Sequence, residues 1–153
     1  MATEYDFYGD ADVPTDEIRA LAAAAVGGVM QLSGLIVTEG MYVDAYRVDS
    51  GDEMSATARF GFQHRVTMIF RFYSNKPSDV RNRSVALMLC AVLSYFDKYS
   101  GRGVLLYNGE EVTLQRLNGD IEFSIDWEDW TDVQEVASLV ASHAVRRLNQ
   151  PLL

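Results

Sequence analysis

Val104-Leu105-Leu106-Tyr107-Asn108-Gly109-Glu110-Glu111-Val112-Thr113-Leu114-Gln115-Arg116-Leu117-Asn118-Gly119-Asp120-Ile121-Glu122-Phe123-Ser124-Ile125 reads as three strands joined by two turns. Asn-Gly is the dipeptide best suited to a tight hairpin, because both residues tolerate positive φ at low cost. It occurs twice here, at Asn108-Gly109 and at Asn118-Gly119. Between the turns Val112, Thr113, Leu114 and Leu117 are β-branched or leucine, and Ile121 to Ile125 alternates apolar with polar. Short connections of this kind join antiparallel neighbours, so the stretch predicts a meander.

The same reading extends upstream. Runs at Leu35-Ile36-Val37, Met41 to Val48, Met54 to Phe62 and Arg65 to Tyr73 are rich in strand formers. Glu39-Gly40 and Asp49-Ser50-Gly51-Asp52 punctuate them as turns. In the last run Val66, Met68, Phe70 and Phe72 share one side and Thr67, Ile69, Arg71 and Tyr73 the other, a pattern for a strand with one wetter face. Glu4-Tyr5-Asp6-Phe7-Tyr8 predicts a first strand.

Three helices are expected. The first runs from Ile18 to Val26, with Thr15 as N-cap, Asp16 and Glu17 at the positive end of its dipole, and Gly27-Gly28 after it. The second starts at Pro77-Ser78-Asp79, reaches about Tyr99 and closes at Gly101. The third follows the capping box Thr131-Asp132-Val133-Gln134 and runs to about Asn149, before Pro151. The resulting fold class is α+β: a largely antiparallel sheet of about seven to eight strands with three helices, in the order β-α-β-β-β-β-α-β-β-β-α. With 153 residues, no repeat and no linker, residues 1–153 are expected to form a single domain.

Composition limits the function classes. The net charge is −9, distributed as −9 over residues 1–58, +6 over 59–102 and −6 over 103–153. An acidic surface repels phosphate backbones, so nucleic acid is not expected as a partner. It attracts basic partners and speeds their encounter. The longest apolar run, Val85 to Leu93, falls short of the roughly 20 residues that span a bilayer, and the acidic opening does not resemble a signal peptide. No membrane partner and a cytoplasmic location are therefore expected. The lone Cys90 allows no internal disulfide and, in an apolar stretch, is read as a small buried hydrophobe.

No catalytic constellation stands out, and the chain is read as a non-enzyme without a cofactor. His64 and His143 lie in different elements with no ligand spacing, His64 being expected at the surface and His143 at the edge of the core. Asp10-Ala11-Asp12 could hold a divalent ion, but acids between a strand and a helix usually serve turn chemistry, so no metal is expected. Glu110 and Glu111 alternate faces if they lie on a strand, which argues against a cooperating pair. There is no P-loop, nucleophile elbow or dinucleotide fingerprint.

Asp126-Trp127-Glu128-Asp129-Trp130 is the most unusual local feature, with both tryptophans of the chain among three acids. From Leu117 to Val145 there are seven acids and no Lys or Arg. Tryptophan among loop acids is the composition of an interface anchor. Trp130 is instead expected to staple the following helix, whereas Trp127 is open to either role. The candidate partner-binding residues are Asp126, Trp127, Glu128 and Asp129, with Asp49, Asp52 and Glu53 as further acids.

Glu4-Tyr5-Asp6-Phe7-Tyr8-Gly9, the apolar helix ending in Gly, Ser84-Val85-Ala86-Leu87-Met88, and Leu105 to Val112 together resemble small bacterial immunity proteins. The resemblance is to the Sit-type immunity proteins of swarming-inhibition toxin systems, in the branch without double CxxC motifs. It covers most of the chain and implies a non-catalytic cytoplasmic protein that binds and blocks a cognate protein toxin. A basic toxin would be steered to such an acidic inhibitor. The rival reading is a self-associating structural or adaptor module, a homo-oligomer in which the +6 segment of one copy meets the acidic ends of another.

Overall fold

The computed structural model describes residues 3–49 and 53–151. Among these residues, nine strands form one sheet in the order β2-β3-β4-β5-β1-β6-β7-β8-β9. These are β1 (Thr3–Gly9), β2 (Val29–Met30), β3 (Ile36–Val37), β4 (Met41–Arg47), β5 (Val66–Phe72), β6 (Gly103–Tyr107), β7 (Glu111–Arg116), β8 (Glu122–Ser124) and β9 (Ala144–Arg146). Every pairing is antiparallel except the edge pair β8–β9. The helices are α1 (Thr15–Val26), α2 (Ser78–Lys98), α3 (Glu128–Thr131) and α4 (Ala137–Val140). The α+β class and the meander β6–β7–β8 follow the sequence reading, and Asn108 and Gly109 do take positive φ at their turn.

Register explains the core. Ala45, Met68, Phe7, Leu105, Leu114 and Phe123 lie opposite one another in turn across six strands, and all are buried. This row and the parallel one through Val43, Phe70 and Tyr5 are packed against α1 and α2. The second face carries a smaller cluster of Phe60, Phe62, Val104, Leu106, Val112 and Leu148. A bulge between Leu105 and Leu106 makes this possible: Leu114 serves the helical face, whereas Val112 turns to the other.

The long helix α2 lies close on the sheet. A Cβ at Gly9 would stand 2.4 Å from the Tyr95 hydroxyl, and one at Gly103 would stand 2.8 Å from the Phe96 ring. Only glycine admits that approach. The C-terminal end of α2 is held by Arg116 of β7, which donates to the carbonyls of Phe96 at 2.8 Å, Tyr99 at 2.6 Å and Gly101 at 2.7 Å. Its guanidinium also lies 4.4 Å from the centre of the Phe96 ring. Orphan carbonyls at a helix end are thus satisfied by a cation suited to the negative end of the dipole.

Three expectations about elements are corrected. Met54 to Phe62 is no strand; Glu53–Phe60 is a 3-10 helix. The Thr57 hydroxyl donates to the Phe62 carbonyl at 2.8 Å and accepts from the His64 amide at 3.0 Å, and Gly61 at φ +82° turns the chain away. The expected third helix is split into α3, a 3-10 turn at Gln134–Val136, α4 and the strand β9. No capping box forms: the Thr131 hydroxyl donates to the Asp132 carboxylate at 3.1 Å and to the Glu128 carbonyl at 3.4 Å. Pairing with β8 prevails over helix propensity there, reinforced by an Arg146–Glu122 ion pair. Thr15 does not cap α1 either; Pro14 holds that position, and the Thr15 hydroxyl accepts from the Arg47 amide at 3.1 Å. Among the described residues, no helix is long and apolar enough to cross a membrane.

Candidate acidic and aromatic cleft

The start of β1, the end of β6, the first turn of α2 and the short α3 meet at one end of the helical face. Tyr5 lies opposite Tyr107 in the β1–β6 register, their rings edge to face at 5.3 Å. Trp127, just before α3, rests on both: 4.7 Å from the Tyr107 ring and 6.1 Å from that of Tyr5. Its indole N–H donates to the Tyr5 hydroxyl at 2.9 Å. That hydroxyl donates in turn to the Asp129 carboxylate through a short hydrogen bond. Arg81 grips the same carboxylate with both terminal nitrogens at 3.1 Å. A bidentate fork is the strongest arrangement available to this pair.

Electrostatics fix the roles in this chain. Burial, followed by the charge of Asp129 and its hydrogen bond, pushes the Tyr5 phenol far above its ordinary range, with the Trp127 N–H opposing them. Tyr5 therefore stays a neutral donor. Burial alone lowers the Arg81 guanidinium, but the Asp129 bond and charge more than offset this and leave it raised. Asp129 and Arg81 cancel, so the cleft keeps the negative charge of Glu111, Asp126 and Glu128 beside the rings of Trp127 and Tyr107. The concavity measures ≈ 340 Å³ and is open to solvent. Arg147 reaches Asp126 at 3.4 Å, but both are largely exposed, and such surface pairs contribute little.

The structure brings Asp126, Trp127, Glu128 and Asp129 together but gives them unlike roles. Asp126 and Glu128 are exposed, Trp127 is half-buried, and Asp129 is buried within the Tyr5–Arg81 clamp. Trp130 is buried and donates to the Thr113 carbonyl at 2.6 Å, holding α3 to the sheet as a staple does. Asp49 lies beyond Arg47 at the far strand ends, where β1 finishes at Gly9, and is exposed. Glu53 heads the 3-10 helix, and Asp52 lies outside the described residues. The cleft also recruits Arg81 and Tyr107, with Tyr5 buried behind them, and Glu111, which the sequence reading weighed only as half of an acid–base pair. Only the strand register and the docking of α2 place them beside Trp127.

The other candidates are positioned as follows. His64 is buried, contrary to expectation; its Nδ1 lies 3.1 Å from the Thr57 hydroxyl and its ring packs 4.5 Å from Tyr8. His143 sits before β9 rather than on a helix, 5.7 Å from the Phe123 ring. With Cys90, Asp97 and Leu139 it lines an open cleft of ≈ 440 Å³. Cys90 is half-buried rather than fully buried; burial raises its thiol, the direction opposite to nucleophile activation. Asp10 and Asp12 face different arginines, Arg102 and Arg47. Among the described residues, no group of three His, Cys, Asp or Glu is placed to hold a metal ion.

The +6 segment meets acids of its own chain. Arg71 pairs with Glu4, Arg81 with Asp129, Arg83 with Glu39 and Asp79, Lys98 with Glu17, and Arg102 with Asp10. The charge blocks seen in the sequence are thus largely joined within one molecule.

No curated protein and no solved structure matches the chain. A family model described as SitI3-like matches residues 3–134, from β1 through α3, a span that contains every residue lining the acidic cleft. With most of its length so matched, and with the Tyr5 strand, the α2 face and the Trp127 segment all inside that span, the chain belongs to the SitI3-like family.

Proposed function

We propose that the protein is an immunity protein that binds a cognate toxin in the cytoplasm and blocks it by contact, without catalysis. Membership of the SitI3-like family supports the class. The observation that carries the contact assignment is the cleft itself: two aromatic faces, partly open, beside three carboxylates that Arg81 does not neutralise. Aromatic anchors ringed by charge are the usual energetic centre of a protein interface. A basic toxin surface gains attraction at long range from the net −9 of the chain and a specific seat on Trp127 and Tyr107.

The contact residues are Asp126, Trp127 and Glu128, with Asp129 acting from behind as the group that positions Trp127 through Tyr5. Asp49, Asp52 and Glu53 remain in the proposal as a second acidic group, to be tested separately because Asp49 lies at the other end of the strands. The test is affinity for the cognate toxin, measured by calorimetry. Trp127→Ala, and the double reversal Asp126→Lys with Glu128→Lys, should each weaken binding about 30-fold or more, a loss of ~2 kcal/mol. Unchanged affinity in both would sink the cleft assignment. A toxin neutralised with no complex formed would sink contact inhibition altogether.

A further inference from the structure

The two edges of the sheet are built differently. At one edge β9 carries Arg146, paired with Glu122, and is followed by Arg147. Charged residues on an edge strand oppose the addition of another strand. At the other edge β2 carries Val29 and Met30 and leads into Leu32, which are 67%, 44% and 111% exposed. They are three of the five large hydrophobic residues that are exposed among the described residues. No charged residue occurs between Arg19 and Glu39, a run of 19 residues in a chain of net charge −9. No proline, lysine or bulge guards this edge either.

The backbone there is set for pairing. Val29 and Met30 are matched with Val37 and Ile36, and the Gln31 amide donates to the Leu35 carbonyl at 2.7 Å. In an antiparallel ladder the bonded pairs alternate. Gln31 bonds inward, so the N–H and C=O of Met30 point away from β3.

We infer that this edge is a self-association surface, where β2 pairs antiparallel with β2 of a second copy and extends the sheet across the two molecules. Charge selects that occupant. Two copies of net charge −9 repel each other and meet least repulsion at this edge, which carries no acid of its own and has the Arg19 guanidinium packed beside Gly34. A basic partner gains no attraction there and is drawn instead to the acidic surfaces. Antiparallel pairing of a strand with its own copy is two-fold symmetric, so one patch serves both sides. It buries Val29, Met30 and Leu32 and satisfies the outward groups of Met30. The inference is independent of the toxin reading.

Sedimentation equilibrium of the full chain, from about 1 μM to about 1 mM, tests it. The expected mass climbs from 17.1 kDa toward twice that value. It climbs at lower protein concentration in about 1 M salt, because screening over a few ångströms removes the repulsion between copies. Met30→Lys, at a half-exposed position that the fold tolerates, should keep the mass at 17.1 kDa in both salts, and Met30→Leu should behave as the wild type. Circular dichroism confirms that each variant is folded. A wild-type mass fixed at 17.1 kDa throughout overturns the inference. So does a folded Met30→Lys variant that still doubles.

Discussion

Asp129→Ala removes the acceptor at the centre of the clamp, and its cost follows from what is left behind. The Tyr5 side chain is fully buried, so its hydroxyl loses its acceptor, and only water entering from the adjoining cleft could replace it. A stranded buried donor costs about 1–3 kcal/mol. Arg81 loses two bonds, but its side chain is 40% exposed and water replaces most of them. After that screening the ion pair adds about 0.5–1 kcal/mol. The expected loss is therefore about 1.5–4 kcal/mol of unfolding free energy. Asp129→Asn keeps one oxygen for Tyr5 and should lose about half as much. Urea unfolding followed by tryptophan fluorescence measures both, because Trp127 and Trp130 flank the site. The slope should stay unchanged while the midpoint falls. An Asp129→Ala loss below about 0.5 kcal/mol would refute the claim that this clamp holds α3 to the sheet.

Three further predictions rest on other contacts. Asp6 is buried with Oδ1 unpartnered, and burial, followed by the charge of Glu4, pushes its carboxyl up to about 7. The folded state then keeps a proton that the unfolded chain releases near pH 4, so this group's contribution fades as pH rises from about 4 to about 7. Asp6→Asn should accordingly gain roughly 2–4 kcal/mol over the wild type between pH 4 and pH 8, read from denaturation at each pH; parallel pH profiles would count against it. Arg116→Met should cost about 2–4 kcal/mol, because three carbonyls at the end of α2 lose their donor; a melting temperature within a degree of the wild type would contradict this. Gly9→Ala should cost about 1–3 kcal/mol by pressing on Tyr95, and combining it with Tyr95→Leu should cost less than the sum of the two single changes.

The turn and strand signals were legible because they are local. Asn108-Gly109 takes the positive φ that a tight hairpin favours, and the alternation of Val66, Met68, Phe70 and Phe72 states which side of the strand is dry. The acid-rich segment at Asp126 to Trp130 was also visible, since composition needs no geometry. The division of labour inside it was not. Nothing in the sequence distinguishes Asp126, which faces solvent, from Asp129, which is buried under Arg81 48 residues away and Tyr5 124 residues away.

The failures share a cause. Residues after Thr131 have helical spacing, yet an unpaired edge at β8 and the charge of Glu122 draw Ala144–Arg146 into a strand. Met54 to Phe62 carries strand formers, yet the Thr57 hydroxyl holds the Phe62 carbonyl and the His64 amide in a tight turn. The amino-acid sequence by itself determined the α+β class, the meander, the two long helices and the acidic character. The tertiary structure alone decided which acids are free, what Trp127 packs against and which edge of the sheet stays unguarded. Those depend on contacts between residues far apart in the chain, and local propensity, worth at most about 1 kcal/mol per residue outside proline, yields to them.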